Sequence, residues 1–311
     1  MRIVRFSQNG QPPRLGCFLG ADRVVDLAAS GARYLSTQGV GATRAAAIAD
    51  AMFPQSTRGF LEGGATSREM LDRVVEAARG GRFEPVAHAA KAVRLLAPIS
   101  DPGKFIFIGL NYKDHAEETG NPAPKEPPIF PKWATAIQDP GEPILRPRGE
   151  QHFDWEVELG VVMGSTARFV SRESALDHVW GYTIINDASA RDLQFVTTQW
   201  GAGKIGDTLA PMGPYIADRA EIPDPHVLDL KCWVNGTLMQ NGNTRNFIFD
   251  VRYIVSYLSG ILTLEPGDVI ATGTPAGVGF SRKPPIVLGP GDVVRCEISG
   301  LGTLENPVKD A

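Results

Sequence analysis

Acidic residues fall at every second position in the stretch Asp154-Trp155-Glu156-Val157-Glu158-Leu159. In an extended strand, side chains two apart share a face. Asp154, Glu156 and Glu158 therefore point one way, and Val157, Leu159, Val161 and Met163 point the other way, into a core. Two carboxylates this close repel, and the segment is otherwise too apolar for a solvated edge. A divalent cation would remove the conflict, because hard cations such as Mg²⁺, Mn²⁺ and Ca²⁺ take oxygen ligands. The plain alternative is that this face lies in water.

Other residues could serve the same chemistry. The apolar run Phe105–Leu110 reads as a buried strand and ends in Asn111-Tyr112-Lys113-Asp114-His115-Ala116-Glu117-Glu118. His115 and Glu118 are three apart and share a face of one helical turn. A carboxylate beside an imidazole fixes its tautomer and raises its basicity, as a general base requires. The same spacing also suits a surface pair with no role. Asp187 ends the apolar stretch Val179–Ile185 and is placed to be a third oxygen ligand. Arg191 and Gln194, again three apart, could hold a carboxylate. Lys204 sits in a glycine-rich turn and could bring a point charge near a reacting oxygen. The glycines around Thr274 would let backbone N–H groups and its hydroxyl approach a ligand.

The elements that must position these groups are mostly strands. The chain has 311 residues, 43% hydrophobic and 21% charged, with 34 glycines and 24 prolines. That is an ordinary globular composition with many turns, hence a β-rich α+β fold. The net charge of −4 leaves no basic surplus for nucleic acid. No apolar stretch is long enough to span a bilayer, and the N-terminus lacks a signal peptide's apolar core, so a cytoplasmic location is the default. Cys17, Cys232 and Cys296 lie far apart, which argues against a disulfide framework or a zinc site.

Residues 1–92 read as a small α+β domain. A hairpin turns at Asn9-Gly10, a third strand covers Val24–Leu27, and helices cover Thr43–Met52 and the segment behind a Thr66/Glu69 capping box. His88 reads as structural. The character changes near residue 93, and 93–311 reads as the catalytic domain. Residues 121–131 are too rich in proline for a helix or a central strand. They form a linker or a lid, and their place between two site segments favours a lid. In the last third, Ile248–Leu262 is the one clear helix.

Taken in order, five segments resemble the fumarylacetoacetate hydrolase superfamily: Ile108–Tyr112 with His115 and Glu118; Asp154–Leu159; Asn186-Asp187 with Ser189–Asp192 and Gln194; Gly203-Lys204 with Asp207-Thr208; and Gly273–Pro275 with Gly277–Gly279. The resemblance covers roughly residues 93–308. It implies a β-roll catalytic domain behind a small N-terminal domain, and a homodimer. It implies that Glu156, Glu158 and Asp187 bind Mg²⁺ or Mn²⁺, with Ca²⁺ as a substitute in a crystal. It also implies that His115 and Glu118 form a water-activating dyad with Lys204 as catalytic lysine. Family members hydrolyse acylpyruvates, decarboxylate oxaloacetate, isomerise dienoic diacids or dehydrate sugar acids. The expected activity is metal-dependent hydrolysis of a C–C bond in a β-diketo acid, with His115 as base, Lys204 at the oxyanion, and Arg191, Gln194 and Thr274 holding a 2-oxo acid. Oxaloacetate decarboxylation or dienoic diacid isomerisation on the same site is the alternative, and a non-catalytic binding protein is the rival from another class. Ala188, Gly206 and Ala210 stand where many members carry bulkier residues, which suggests a roomier pocket.

Overall fold

Asn9 and Gly10 both adopt positive φ, 51° and 72°, and turn β1 (Arg2–Ser7) back onto β2 (Arg14–Leu19) in the computed structural model, which describes residues 1–311. β3 (Arg23–Asp26) follows. Asp26, read from sequence as part of that strand, also caps the next helix: its carboxylate accepts from Ala29 N at 3.0 Å. Four helices come next, α1 (Leu27–Thr37), α2 (Ala42–Met52), α3 (Thr57–Glu62) and α4 (Gly64–Arg79). The Thr66/Glu69 capping box does not form. α3 runs into α4 through a shared Gly63, so the helix starts two residues before Thr66 and has no side-chain cap.

The remaining elements are β4 (Ala87–Ala89), β5 (Arg94–Leu96), β6 (Phe105–Ile108), α5 (Lys113–Glu118), β7 (Ile129–Pro131), β8 (Ile137–Gln138), β9 (Ile144–Arg146), β10 (Phe153–Asp154), β11 (Val157–Met163), β12 (Val179–Asn186), β13 (Ser189–Ala190), α6 (Arg191–Gln194), β14 (Ala210–Asp218), β15 (Asp229–Val234), β16 (Thr237–Asn243), α7 (Val251–Ile261), β17 (Val269–Ala271), β18 (Val293–Ile298) and β19 (Gly302–Asp310). A 12-stranded sheet runs β4-β3-β2-β1-β14-β12-β11-β17-β6-β7, with β5 beside β1 and β8 beside β14. A five-stranded sheet, β16-β15-β18-β19-β9, packs against it. The N-terminal strands join the large sheet directly, because β1 pairs with β14 at Arg2↔Ala217 and Ile3↔Ile216.

β11 and β12 are central and buried on both faces. Val157, Leu159, Val161 and Met163 enter the larger core, together with α7 residues Ile254, Val255 and Leu258. Val162 and Ile185 enter a second core with Leu71, Val74 and Val75 of α4. The face that carries Glu158 is therefore covered by protein, and the water-facing alternative for the acidic stretch does not hold. The proline-rich segment divides. Residues 129–131 are β7, an edge strand paired only with β6, which is where a sheet tolerates proline. Ahead of it, Glu126 accepts a hydrogen bond from Tyr253 of α7 at 2.9 Å. No helix is long and apolar enough to cross a membrane.

Candidate metal centre

Glu156, Glu158 and Asp187 converge, with one carboxylate oxygen from each lying within 4.8 Å of the others. All three are buried. The local register explains the convergence. Val157 lies opposite Asn186 at the mouth of the β11–β12 pair, so Glu156 and Asp187 occupy facing positions one residue beyond it. Asp187 N donates to Glu156 O at 2.9 Å, and Glu156 N donates to Asn186 Oδ1 at 3.1 Å. Glu158 points to the same side, and its Oε2 accepts from Gly273 N at 2.8 Å.

Three cations surround the triad. Lys204 Nζ lies 2.7 Å from each of Glu156 Oε2, Asp187 Oδ2 and Ser189 Oγ, so all three of its N–H groups are engaged. Arg191 sends Nη2 to Glu156 Oε1 and to Asp154 Oδ2, both at 2.7 Å. Its Nε bonds Asp154 Oδ2 and its Nη1 bonds Gln194 Oε1. Four of its five N–H groups are thus committed inside the protein, and the free carboxylate clamp expected of Arg191 and Gln194 shrinks to one guanidinium N–H and the Gln194 amide nitrogen. The third cation, Lys132, is absent from the sequence reading. It comes from the end of the proline-rich segment, is fully buried, and places Nζ 2.5 Å from Asp187 Oδ1 and within bonding distance of Ala188 O and Leu209 O.

The carboxylates divide by environment. Burial opposes the charge of Glu156, but Lys204 and Arg191 outweigh it and hold the carboxyl below its ordinary range. Burial pushes Glu158 well above its ordinary value, and Asp187 and Glu156 add to the effect as like charges. Burial likewise dominates at Lys132 and lowers it to about 8, against the pull of Asp187.

The residues present fit a divalent cation. Glu158 meets one backbone N–H and no positive side chain, which is costly for a buried carboxylate. Asp187 Oδ1 accepts no well-directed hydrogen bond although Lys132 is close. Counted with Asp154, the triad makes four carboxylates against three cations, Arg191, Lys132 and Lys204, which leaves one surplus negative charge when all are ionised. A divalent ion would reverse that sign and make the site attractive to an anion.

His115 opens onto the same cavity, of about 280 Å³, which is also lined by Glu156, Glu158, Asp187, Arg191, Gln194, Lys204 and Thr274. His115 Nδ1 lies 3.3 Å from Glu118 Oε2. Glu118 is fixed in turn: both of its oxygens accept from Gly277 N at 3.0 Å. Gly277 holds φ of 105°, and a Cβ there would stand 2.2 Å from Met239 O, so only glycine brings this N–H to the dyad. The hydroxyl of Thr274, expected to meet a ligand, is directed inward, donating to Val157 O and accepting from Gln240 Nε2.

Asn111, quoted in the Ile108–Tyr112 motif without a role, and Gln240, which sequence reasoning passed over, are two further residues that hold the site together. Asn111 bonds both the N and O of Phe249 and also Thr272 O, tying the start of α5 to the strand behind the site. Gln240 ties β11 to the Thr274-Pro275 turn. A lone amide, whether in the loop before α5 or in β16, carries no local signal of such a role. The roomier pocket expected from Ala188, Gly206 and Ala210 is not built on those residues. None of the three lines the cavity, and Ala188 and Ala210 are fully buried in the two cores.

Residues 104–309 match the sequence model of the fumarylacetoacetate (FAA) hydrolase C-terminal domain. Over 99% of its length the chain is 40% identical to a mitochondrial oxaloacetate tautomerase of Xenopus laevis, covering 90% of that protein. It is 45% identical to a fumarylacetoacetate hydrolase domain-containing protein 2 homolog of Dictyostelium discoideum, over 84% of this chain and 88% of the other. Among solved structures, the fumarylacetoacetate hydrolase of Exiguobacterium antarcticum superposes with a TM-score of 0.79 at 34% identity, and the maleylpyruvate hydrolase of a Sphingobium species with 0.76 at 30%; each covers all of both chains.

Proposed function

The chain belongs to the fumarylacetoacetate hydrolase family, and from that premise we propose that it is a divalent-metal-dependent hydrolase that cleaves the C–C bond of an acylpyruvate. One observation carries the reading: the acidic triad and His115, with Glu118 behind its imidazole, meet at a single small cavity that His115 and the triad line. Glu156, Glu158 and Asp187 would hold the cation, which when bound supplies Lewis-acid stabilisation of the negative charge that gathers on the 2-oxo oxygen.

The rest falls to the chain's own groups. His115 takes a proton from water as the oxygen adds to the distal carbonyl. Glu118 orients the imidazole and stabilises its protonated form. The C–C bond then breaks, its electron pair and a proton pass to the three-carbon fragment, and the products are pyruvate and a carboxylic acid. Lys204, with every N–H already engaged, contributes positive charge beside the developing oxyanion rather than a free donor. The remaining Arg191 N–H and the Gln194 amide are the groups left to orient the substrate's carboxylate.

A second reading is oxaloacetate tautomerisation, supported by the Xenopus relative that spans nearly the whole chain. It needs the same enolising centre, with His115 moving a proton at C3 and no water consumed. The two are separated by following acetylpyruvate loss and the enol absorbance of oxaloacetate with Mg²⁺ or Mn²⁺. Release of pyruvate and acetate in equal amounts supports the hydrolase. Enol–keto exchange with no cleavage of any acylpyruvate replaces it with the tautomerase.

A further inference from the structure

We infer that the cavity contains an apolar subsite beyond the metal centre, and that the natural substrate is a 2-oxo acid whose distal group is uncharged and hydrophobic, an alkanoyl or aroyl group rather than a second carboxylate; this rests on the 2-oxo acid reading above. Besides the triad the lining includes Leu110, Phe130, Phe195, Trp200, Val278 and Phe280, with Phe130 and Phe280 next to the site's cations, 5.3 Å from Lys204 Nζ and 5.7 Å from Arg191 Cζ to the ring centroids. The aromatic groups among them are ordered in pairs. Phe195 and Phe280 lie with ring centroids 5.1 Å apart, and Phe130 and Trp200 at 6.0 Å edge to face. Phe195 and Phe280 stay 52% and 40% exposed, so part of each side chain is left uncovered by protein even though the two rings pack on each other and Arg191 lies over that of Phe280.

Two backbone features show that these walls are held in place. Gly109 leaves room for the Trp200 ring, since a Cβ there would stand 2.3 Å from its Cζ3. Leu110 has φ of 49°, the left-handed region that a branched side chain adopts at a cost and that glycine would enter freely. A strained leucine at a cavity wall is explained by what its side chain does there.

The charges point the same way. The cavity's lysine and arginine, Lys204 and Arg191, are both drawn to the triad and Asp154. With both of these cations already paired, a second substrate carboxylate would find no unengaged lysine or arginine among the lining residues, only neutral Thr119, Asn121 and Gln194 and the apolar walls, short of the pairing that a desolvated charge needs. An alkyl chain would instead gain roughly fourfold in affinity for each methylene it buries.

Calorimetry on the Mn²⁺-loaded protein tests this without turnover, using three ligands that share the chelating head: oxalate with no tail, phenylpyruvate with an apolar tail, and 2-oxoglutarate with a charged one. The expected result is phenylpyruvate binding at least tenfold tighter than 2-oxoglutarate. Phe280→Ala and Leu110→Gly should each reduce that preference while oxalate binds as before, and Leu110→Gly should keep or raise the melting temperature. Equal or tighter binding of 2-oxoglutarate, with oxalate bound, overturns the subsite and leaves the metal centre standing. Failure of oxalate to bind removes the metal reading itself, and the subsite with it.

Discussion

Lys132 Nζ and Asp187 Oδ1 stand 2.5 Å apart with neither side chain exposed to solvent. The lysine also reaches Ala188 O and Leu209 O, so it joins the site to the strand that follows. Removing one partner of a buried ion pair leaves the other uncompensated, at about 3–5 kcal/mol. Lys132→Met should fall at the lower end of that range, because Lys204 still faces Asp187. Urea denaturation measures it, and a loss below about 1 kcal/mol would mean the pair is not the support it looks to be.

Glu158→Gln separates metal binding from folding. The amide oxygen can still accept from Gly273 N, and the change removes a like charge from beside Glu156 and Asp187. Metal-free stability should hold or rise. Loss of a partner one shell further out typically weakens metal sites by about 10–100-fold, so loss of a ligand should reach at least the upper figure. Mn²⁺ titration followed by electron paramagnetic resonance reads this directly; wild-type affinity in the variant would rule out Glu158 as a ligand.

The dyad predicts a split between reactions. General base assistance is worth about 10²–10⁴-fold, so His115→Ala should cost acylpyruvate hydrolysis at least about a hundredfold. Decarboxylation of oxaloacetate, which needs no attacking water, should survive in the same variant. Glu118→Gln should cost hydrolysis less, since the imidazole remains. Hydrolysis that hardly changes in His115→Ala would remove the base from the scheme.

Glu118 also sets a pH dependence of stability. Burial opposes its ionisation, but hydrogen bonds from His115, Ser281 and Gly277 overcome that and lower its pKa from 4.5. A carboxyl depressed in the folded state binds its proton less readily than in the unfolded chain. Its contribution is therefore complete above the unfolded value and is lost as pH falls through the folded one. The stability gap between wild type and Glu118→Gln should narrow on acidification below about pH 4.5. Denaturant midpoints across that range check it; a gap that widens in acid reverses the sign.

What the sequence revealed and what it hid have a common cause. The period-two acids were legible because strand geometry alone puts Glu156 and Glu158 on one face, and His115 with Glu118 because one helical turn suffices. Lys132, Asn111 and Gln240 were not, because their partners lie 34 or more residues away and only the assembled fold brings them together. The Thr66 box failed because the preceding α3 fixes where α4 begins. Counting small residues near Asp187 misjudged the cavity because Ala188 and Ala210 face the cores instead.

The pairing of β1 with β14 has a consequence for how this protein can be cut and recombined. A fragment beginning near residue 93 would bare the β14 backbone at Ile216 and Ala217 and strip Val162 and Ile185 of the helices that cover them. Such an open edge above an apolar face invites association with other chains. The segment from residue 93 onward is therefore not a cassette. A viable chimera between relatives has to place its crossover outside the β1–β14 seam or bring its own first strand, and a gene fusion is safer at either terminus than between the halves.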